Sequence, residues 1–323
     1  MRADQPRIVS IVVPFLNEEE NLPLLYERII AVFDPLPEEF RLIFVDDGST
    51  DGSLDWVSKA AESDTRIGLV ELSRDFGHQI AITAGMDHAD GDAVVIIDAD
   101  LQDPPEVIPD LIAKWREGYE VVYAVRDSRA GENWLKKTTA HAFYTLFRAM
   151  VPVDVPVDAG DFRLVDRCVV DALRDVRELH RFVRGLTSWV GFRQCAVHYK
   201  RDARHSGHTK YRPWHLFNLA WDAMTSFSGV PLRWVTAGGV IVAGIGGLQT
   251  IRIIWARLVR PDELVPGWAT LAALILIIGG FQLICLGIVG QYVSRIFEEA
   301  KKRPLYFTRK RIGVSPRTAG EEN

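Results

Sequence analysis

Cysteine is scarce in this chain, three in 323 residues, and Cys168, Cys195 and Cys285 form no C-x-x-C pair. An odd, scattered set argues against a disulfide framework and a cysteine-rich zinc site, and for a reducing setting around the soluble part. Two phosphate-binding loops are also missing. No G-x-x-x-x-G-K-[ST] run occurs and no G-x-G-x-x-G follows the first apolar run, which disfavours a P-loop nucleotidase and a dinucleotide dehydrogenase. With 25 Gly and 16 Pro the chain has too little of either for a collagen-like or low-complexity class, and 48 % hydrophobic content is too high for disorder. The apolar run at 8–16 is too short for a signal peptide and leads straight into acidic residues.

A surplus of one charge sign is absent from the whole, at −5, but not from the parts. Residues 1–233 carry 27 Lys and Arg against 37 Asp and Glu, a balance of −10, while residues 234–323 carry 11 against 6, a balance of +5. An acidic body argues against nucleic-acid binding, which needs a basic face. The basic part holds the long apolar runs. Residues 268–293 contain no charge and, at 1.5 Å per residue, exceed the ~30 Å hydrocarbon core, so they predict a transmembrane helix. Residues 234–258, Gly-rich and ending in an Arg252/Arg257 segment able to snorkel, predict a second. Trp234, Trp255, Trp268 and Tyr292 stand near the ends, where amphipathic rings prefer the headgroups. Six basic residues precede the first span (Lys200 to Arg233), seven follow the second (Arg295 to Arg311) and three lie between, which predicts both termini in the cytoplasm. Residues 213–233, rich in Trp and Phe with few charges, read as an interfacial helix or as an ordinary soluble amphipathic one. The expected domains are a catalytic body at 1–212, this interfacial region, two spans within 234–293, and a basic cytoplasmic tail at 294–323 whose 301–311 cluster can meet anionic lipid while 305–307 packs back as a short strand.

In the body, short apolar runs at 8–13, 42–45, 68–72 and 93–97 alternate with helical patterns near 21–33, 54–61 and 78–89, and a further strand is expected at 120–125. That alternation signals an α/β domain with a mainly parallel, doubly covered sheet, in which ligands bind beyond the carboxyl ends of the strands. Those ends are acidic or polar: Pro14 to Glu20, then Asp46-Asp47-Gly48-Ser49-Thr50-Asp51-Gly52, then Asp98-Ala99-Asp100-Leu101-Gln102-Asp103. Two carboxylates at spacing two after a buried strand suit hard oxygen ligation of Mg²⁺ or Mn²⁺ together with a substrate diphosphate, whose charge the metal would neutralise. Single members of these loops also suit plain N-caps and turns.

Taken together, VVPFLNEEENL, VDDGSTDGS, SRDFGHQIAITAGMDHADGD, DADLQDPPE, GDFRLVDR and the closing pair of spans resemble the family 2 glycosyltransferases of the GT-A (Rossmann-like) fold. More narrowly they are similar to polyprenyl-phosphate glycosyltransferases, the bacterial relatives of dolichol-phosphate mannose synthase that include bactoprenol glucosyltransferases. The resemblance implies inverting, metal-dependent transfer of one sugar from a nucleotide sugar to polyprenyl phosphate at the cytoplasmic face of the cell membrane, by a homo-oligomer, for cell-envelope glycan modification. It puts Pro14, Phe15, Asn17, Glu18, Asp46, Asp47 and Asp98 at the donor, with Asp47 accepting from the base. It makes Asp98 and Asp100 the metal motif, Asp100 the more direct ligand, and sets Gln102 beside metal and donor. Asp161 becomes an active-site carboxylate that orients the donor sugar or assists the acceptor. Arg126, and Arg204 and Lys210 of the loop at 201–211, meet the acceptor phosphate. In that loop His208 and Thr209 depart from the family's pattern, and the hydroxyl and the lysine survive. His205, His208 and His215 lack a supporting carboxylate or Cys at ligand spacing and do not read as a metal cluster.

UDP-glucose is the favoured donor by the same resemblance, with GDP-mannose as the alternative. A processive polysaccharide synthase is disfavoured by the missing Q-x-x-R-W motif and the few spans. A non-catalytic nucleotide-sugar sensor has no need of DADLQD, Arg126 and the Arg204/Lys210 loop together.

Overall fold

The computed structural model describes residues 7–126, 159–179, 181–200, 230–259 and 267–314. The chain divides into two compact units, one of Met1–Arg148, Val153–Tyr211 and Pro304–Asn323, the other of Ala149–Pro152 and Arg212–Arg303.

The first unit follows the predicted alternation: β1 (Ile8–Phe15), α1 (Asn21–Phe33), β2 (Glu39–Asp46), α2 (Ser53–Ser63), β3 (Ile67–Leu72), α3 (His78–His88) and β4 (Ala93–Ile96). A 3₁₀ turn (Pro105–Val107) leads into α4 (Ile108–Arg116), then come β5 (Val121–Arg126), β6 (Ala159–Asp166), α5 (Arg167–Asp175), α6 (Val183–Trp189) and β7 (Gln194–Tyr199). The last strand, β8 (Thr308–Ile312), comes from the far end of the chain. One eight-stranded sheet results, ordered β7-β5-β6-β4-β1-β2-β3-β8. β1 to β4 are parallel where they pair, as are β5 and β7, but β6 enters antiparallel between β4 and β5 and β8 lies antiparallel on β3. The sheet is therefore mixed. The tail strand forms at 308–312, beyond the expected 305–307, and is a member of the first unit's sheet instead of part of a separate tail.

The near-continuous apolar strands are explained by cover on both faces. Val9, Ile11, Val13 and Phe15 join one core cluster with Leu22, Leu25 and Ile29 of α1, Val57 of α2 and Ile108 and Leu111 of α4. Val12 points the other way. A Cβ on Gly85 of α3 would sit 2.2 Å from its Cγ1, so the glycine is what lets α3 lie flush on the sheet. Ala81 to His88 are all buried, which accounts for the missing polar stripe on this helix.

The second unit contains α7 (Val230–Val259) and α8 (Trp268–Ala300), helices at both positions read as spans. Among the described residues one stretch, Ile277–Ala300, is long and apolar enough to cross a membrane. In α7 the described apolar stretch is Trp234–Gln249. The helices approach at Gly238, where a Cβ would meet the Phe281 ring at 2.6 Å.

Phe44 is fully buried and takes the edges of Phe15 and Trp56 at 6.2 and 6.1 Å. Phe44→Ala should destabilise the first unit by about 3–5 kcal/mol, the cost of a large core cavity, read as a lowered denaturant midpoint with unchanged helix content.

Candidate functional site

Strand register gathers the chemistry at one edge. β1, β2, β3 and β4 point the same way, so the segments after Phe15, Asp46, Leu72 and Ile96 emerge together. Antiparallel β6 pairs Arg163 with Ile96, so Asp98, two residues after Ile96, and Asp161, two residues before Arg163, reach the same level. β5 ends there as well, with Arg126 opposite Tyr199 of β7.

The first two loops are stapled to each other. Asn17, in the left-handed region at φ 58°, accepts the Thr50 N–H through Oδ1 at 2.7 Å, and its own N–H donates to Ser49 Oγ at 3.1 Å. The Glu18 N–H donates to Ser53 Oγ at 2.9 Å, and Asp46 Oδ1 accepts the Ser49 N–H at 2.9 Å. Asp47 is buried and accepts the N–H groups of Phe76 and Gly77 at 2.8 and 3.0 Å, so it also anchors the segment that opens α3. Burial pushes its carboxyl up to about 6 against the two amides, which act the other way. Gly48 has φ 89° and a Cβ there would lie 2.8 Å from the Asp75 backbone nitrogen, so no other residue fits this close approach. Pro14 is buried in strand β1. Phe15, expected at the donor, is 3 % exposed and packs in the core beside Phe44, as alternation along β1 turns its side chain inward.

After β4, Leu101 is held at φ 58°, an uncommon conformation for a bulky side chain, in a turn closed by the Gln102 N–H donating to Asp100 Oδ1 at 3.1 Å. Gln102 is buried beneath it. Asp98 Oδ1 is buried, accepts no hydrogen bond, and lies 3.4 Å from His78 Nε2. Burial, with the neighbouring carboxylates, pushes Asp98 up to about 6 although His78 opposes it.

Asp161 is 5 % exposed and saturated with donors. Arg184 donates from Nε to Oδ1 at 2.8 Å and from Nη2 to Oδ2 at 3.0 Å, a bidentate pair, while Gln79 Nε2 donates to Oδ2 at 3.3 Å and His78 Nε2 lies 3.2 Å away. Burial would raise its pKa, but Arg184 and His78 outweigh that and hold it well below the usual range. His78 shows the converse balance: burial lowers its pKa, and Asp161 and Asp98 raise it above the ordinary value. A carboxylate so engaged is a fixed anion and not a proton acceptor.

Arg126, partly exposed, is tied down by its neighbours. Its Nε donates to Tyr199 Oη at 3.1 Å and its Nη2 to Asp103 Oδ2 at 3.3 Å, and Tyr199 Oη donates to the other oxygen of Asp103. Gly160 makes room, since a Cβ there would lie 2.9 Å from Arg126 Nη2. Arg204, Lys210 and the interfacial segment at 213–229 lie outside the described residues. His78, Gln79, Asp103, Arg184 and Tyr199 belong to the site and carried no assigned role in the sequence. The signal for three of them was that His78 and Gln79, in GHQ, and Asp103, in DADLQDPPE, sit inside motifs of the resemblance. Among the described residues no group of three His, Cys, Asp or Glu side chains is set as a metal-ligand cluster.

Residues 10–174, from β1 through most of α5, match the family described as Glycosyl transferase family 2. The chain is 47 % identical over 305 residues to the uncharacterized glycosyltransferase YkcC of Bacillus subtilis (strain 168), covering 94 % of each. It is 46 % identical over 299 residues to the uncharacterized glycosyltransferase sll0501 of Synechocystis, covering 92 % of this chain and 93 % of that one. It is 41 % identical over 302 residues to the bactoprenol glucosyl transferase of Shigella phage SfII, covering 94 % and 97 %. With the strand-end loops inside the family match and the likeness running almost end to end, this chain is a glycosyltransferase of GT-A architecture and belongs to glycosyl transferase family 2.

Proposed function

We propose that this glycosyltransferase moves a single sugar, with UDP-glucose as first donor, onto polyprenyl phosphate at the cytoplasmic face of the membrane, with inversion and with Mg²⁺ or Mn²⁺ bound. The observation that carries the reading is Asp98, whose buried Oδ1 is left without a hydrogen bond at the edge where the loops after β1, β2 and β4 meet. A buried carboxylate oxygen without a donor is costly unless a cation meets it. Asp98 and Asp100 fit a hard divalent ion whose other ligands come from a diphosphate. Such an ion, when bound, supplies neutralisation of the charge on the leaving diphosphate. Acceptor and lipid are suggested by the relatives named as bactoprenol glucosyl transferases, at 41 % identity.

In this reading an oxygen of the acceptor phosphate forms the new bond to the anomeric carbon while the bond from that carbon to the diphosphate breaks, and the nucleoside diphosphate leaves. A phosphate monoester is already anionic at neutral pH, so no general base is required. This agrees with Asp161 being locked by Arg184, His78 and Gln79. Asp161 then serves by fixing Arg184 and His78 beside Asp98, and the rate derives from positioning and electrostatics. Arg126, oriented by Asp103 and Tyr199, would present cationic charge at the same edge.

Two crossings of the bilayer are supported by topology. Pro304–Asn323 belongs to the same compact unit as Val153–Tyr211, and β8 completes that unit's sheet, so the chain between them has to cross an even number of times. Leu248 and Leu258 of α7 and Leu283 of α8 are 70, 78 and 71 % exposed, a cover that lipid satisfies and water does not.

Asp100→Ala should abolish transfer while leaving the melting temperature close to wild type; near-normal turnover of that variant in membranes with excess Mn²⁺ would remove the metal assignment. Membranes given radiolabelled UDP-glucose should move label into an organic-extractable, mild-acid-labile lipid. Label arriving only from GDP-mannose would overturn the donor, and none from any common nucleotide sugar would overturn the acceptor. For topology, Glu263→Cys in a background lacking the three native cysteines should react with an impermeant maleimide in intact cells, and Arg317→Cys only after lysis.

A further inference from the structure

We propose that Arg309, on the strand that follows the long helices, is a positioning residue for the segment 73–77 and, through it, for the nucleotide-binding edge. The register of β8 on β3 runs Leu69 with Ile312, Val70 with Arg311 and Glu71 with Lys310, then jumps to Leu72 with Thr308. Arg309 is the residue skipped. A bulge of this kind re-aims a side chain instead of extending the ladder. Here the Arg309 guanidinium turns back across β3: Nη1 lies 3.1 Å from Glu71 Oε1, and Nη2 donates to the Ser73 carbonyl at 3.0 Å. The Ser73 N–H in turn donates to the Phe307 carbonyl at 2.8 Å. Both backbone polar groups of Ser73 are thus held by the tail.

Ser73 is the last fixed point before the segment that reaches the site. Arg74 and Asp75 pack under Gly48, the N–H groups of Phe76 and Gly77 are the donors to Asp47, and His78 is the residue between Asp98 and Asp161. No strand ladder holds 73–77; the Ser73 clamp fixes one end, and Asp47, through the Phe76 and Gly77 N–H groups, fixes the other where α3 begins. The clamp is itself anchored. Two residues before β8, Tyr306 is buried and its Oη donates to Asp87 Oδ2 at 2.9 Å, an oxygen that also accepts Arg177 Nη1 at 2.9 Å. Glu71, the carboxylate under Arg309, is buried while the Arg309 side chain is 65 % exposed, so losing the guanidinium removes a contact without opening the core. This inference rests on the reading that the edge binds a nucleotide sugar.

The test uses the full chain in detergent. Arg309→Ala should speed amide hydrogen exchange in 74–77 several-fold and weaken UDP-glucose binding by about threefold to tenfold, the range of one ordinary hydrogen bond, with donor KM raised more than kcat is lowered. Arg309→Lys should restore part of both. If Arg309→Ala folds poorly, Glu71→Gln, which releases the guanidinium at constant shape, should give the same two changes. Unchanged exchange at 74–77, or unchanged donor affinity beside faster exchange, overturns the proposal. A wild-type chain that binds no nucleotide sugar overturns the donor reading instead, and the exchange arm still decides the clamp.

Discussion

Six aspartates, Asp46, Asp47, Asp98, Asp100, Asp103 and Asp161, share one edge of a single sheet, and the repulsion among their carboxylates is the constraint around which that edge is organised. Like charges at this density raise one another's pKa and disfavour the compact state unless each meets a donor. The structure answers them nearly one by one. Asp46 takes a backbone amide from its own loop, Asp47 takes two from the segment before α3, Asp103 takes Arg126 and Tyr199, and Asp161 takes Arg184 and Gln79 beside His78. Because these partners come from different loops, satisfying the charges also fixes the loops. The mixed topology serves the same end, since only an antiparallel β6 brings Asp161 to the level of Asp98.

Asp98 is the exception, and the exception is informative. Its buried Oδ1 accepts no hydrogen bond and has His78 Nε2 3.4 Å away, whereas Asp103 and Asp161 beside it each accept hydrogen bonds from side chains. Had Asp103 or Asp161 been left open in the same way, a cation would face several competing positions. With their donors in place, Asp98 is the buried carboxylate whose oxygen remains without a hydrogen bond, just before the turn made by the left-handed Leu101.

Much of this was legible in the sequence. Apolar runs placed β1 to β4 and the helices between them within a few residues, and the acidic strand ends of β1, β2 and β4 emerge at one edge of the sheet. That Phe15 packs inward beside Phe44 was not legible, because a continuous apolar run hides which way each side chain points until cover on both faces is known. Arg184 and His78 carried no role because their partner Asp161 lies 23 and 83 positions away, and only the antiparallel register of β6 joins them. The helices α7 and α8 stand at the two positions that composition marked as long and apolar.

The charge step near Trp234 acquires a second meaning from β8. Read along the sequence, the basic tail is a lipid-facing feature attached to an acidic body. In the fold, three of its basic residues, Arg309, Lys310 and Arg311, stand on the edge strand of that body beside β3, and Arg309 pairs with Glu71. Basic residues on an edge strand deter pairing with another chain, and here they also complement a body whose own balance is −10. The opposite charges of the two segments therefore do structural work across a gap of more than a hundred residues: the chain has to complete its passage through the long helices before its sheet, and the loop leading to His78, can be finished.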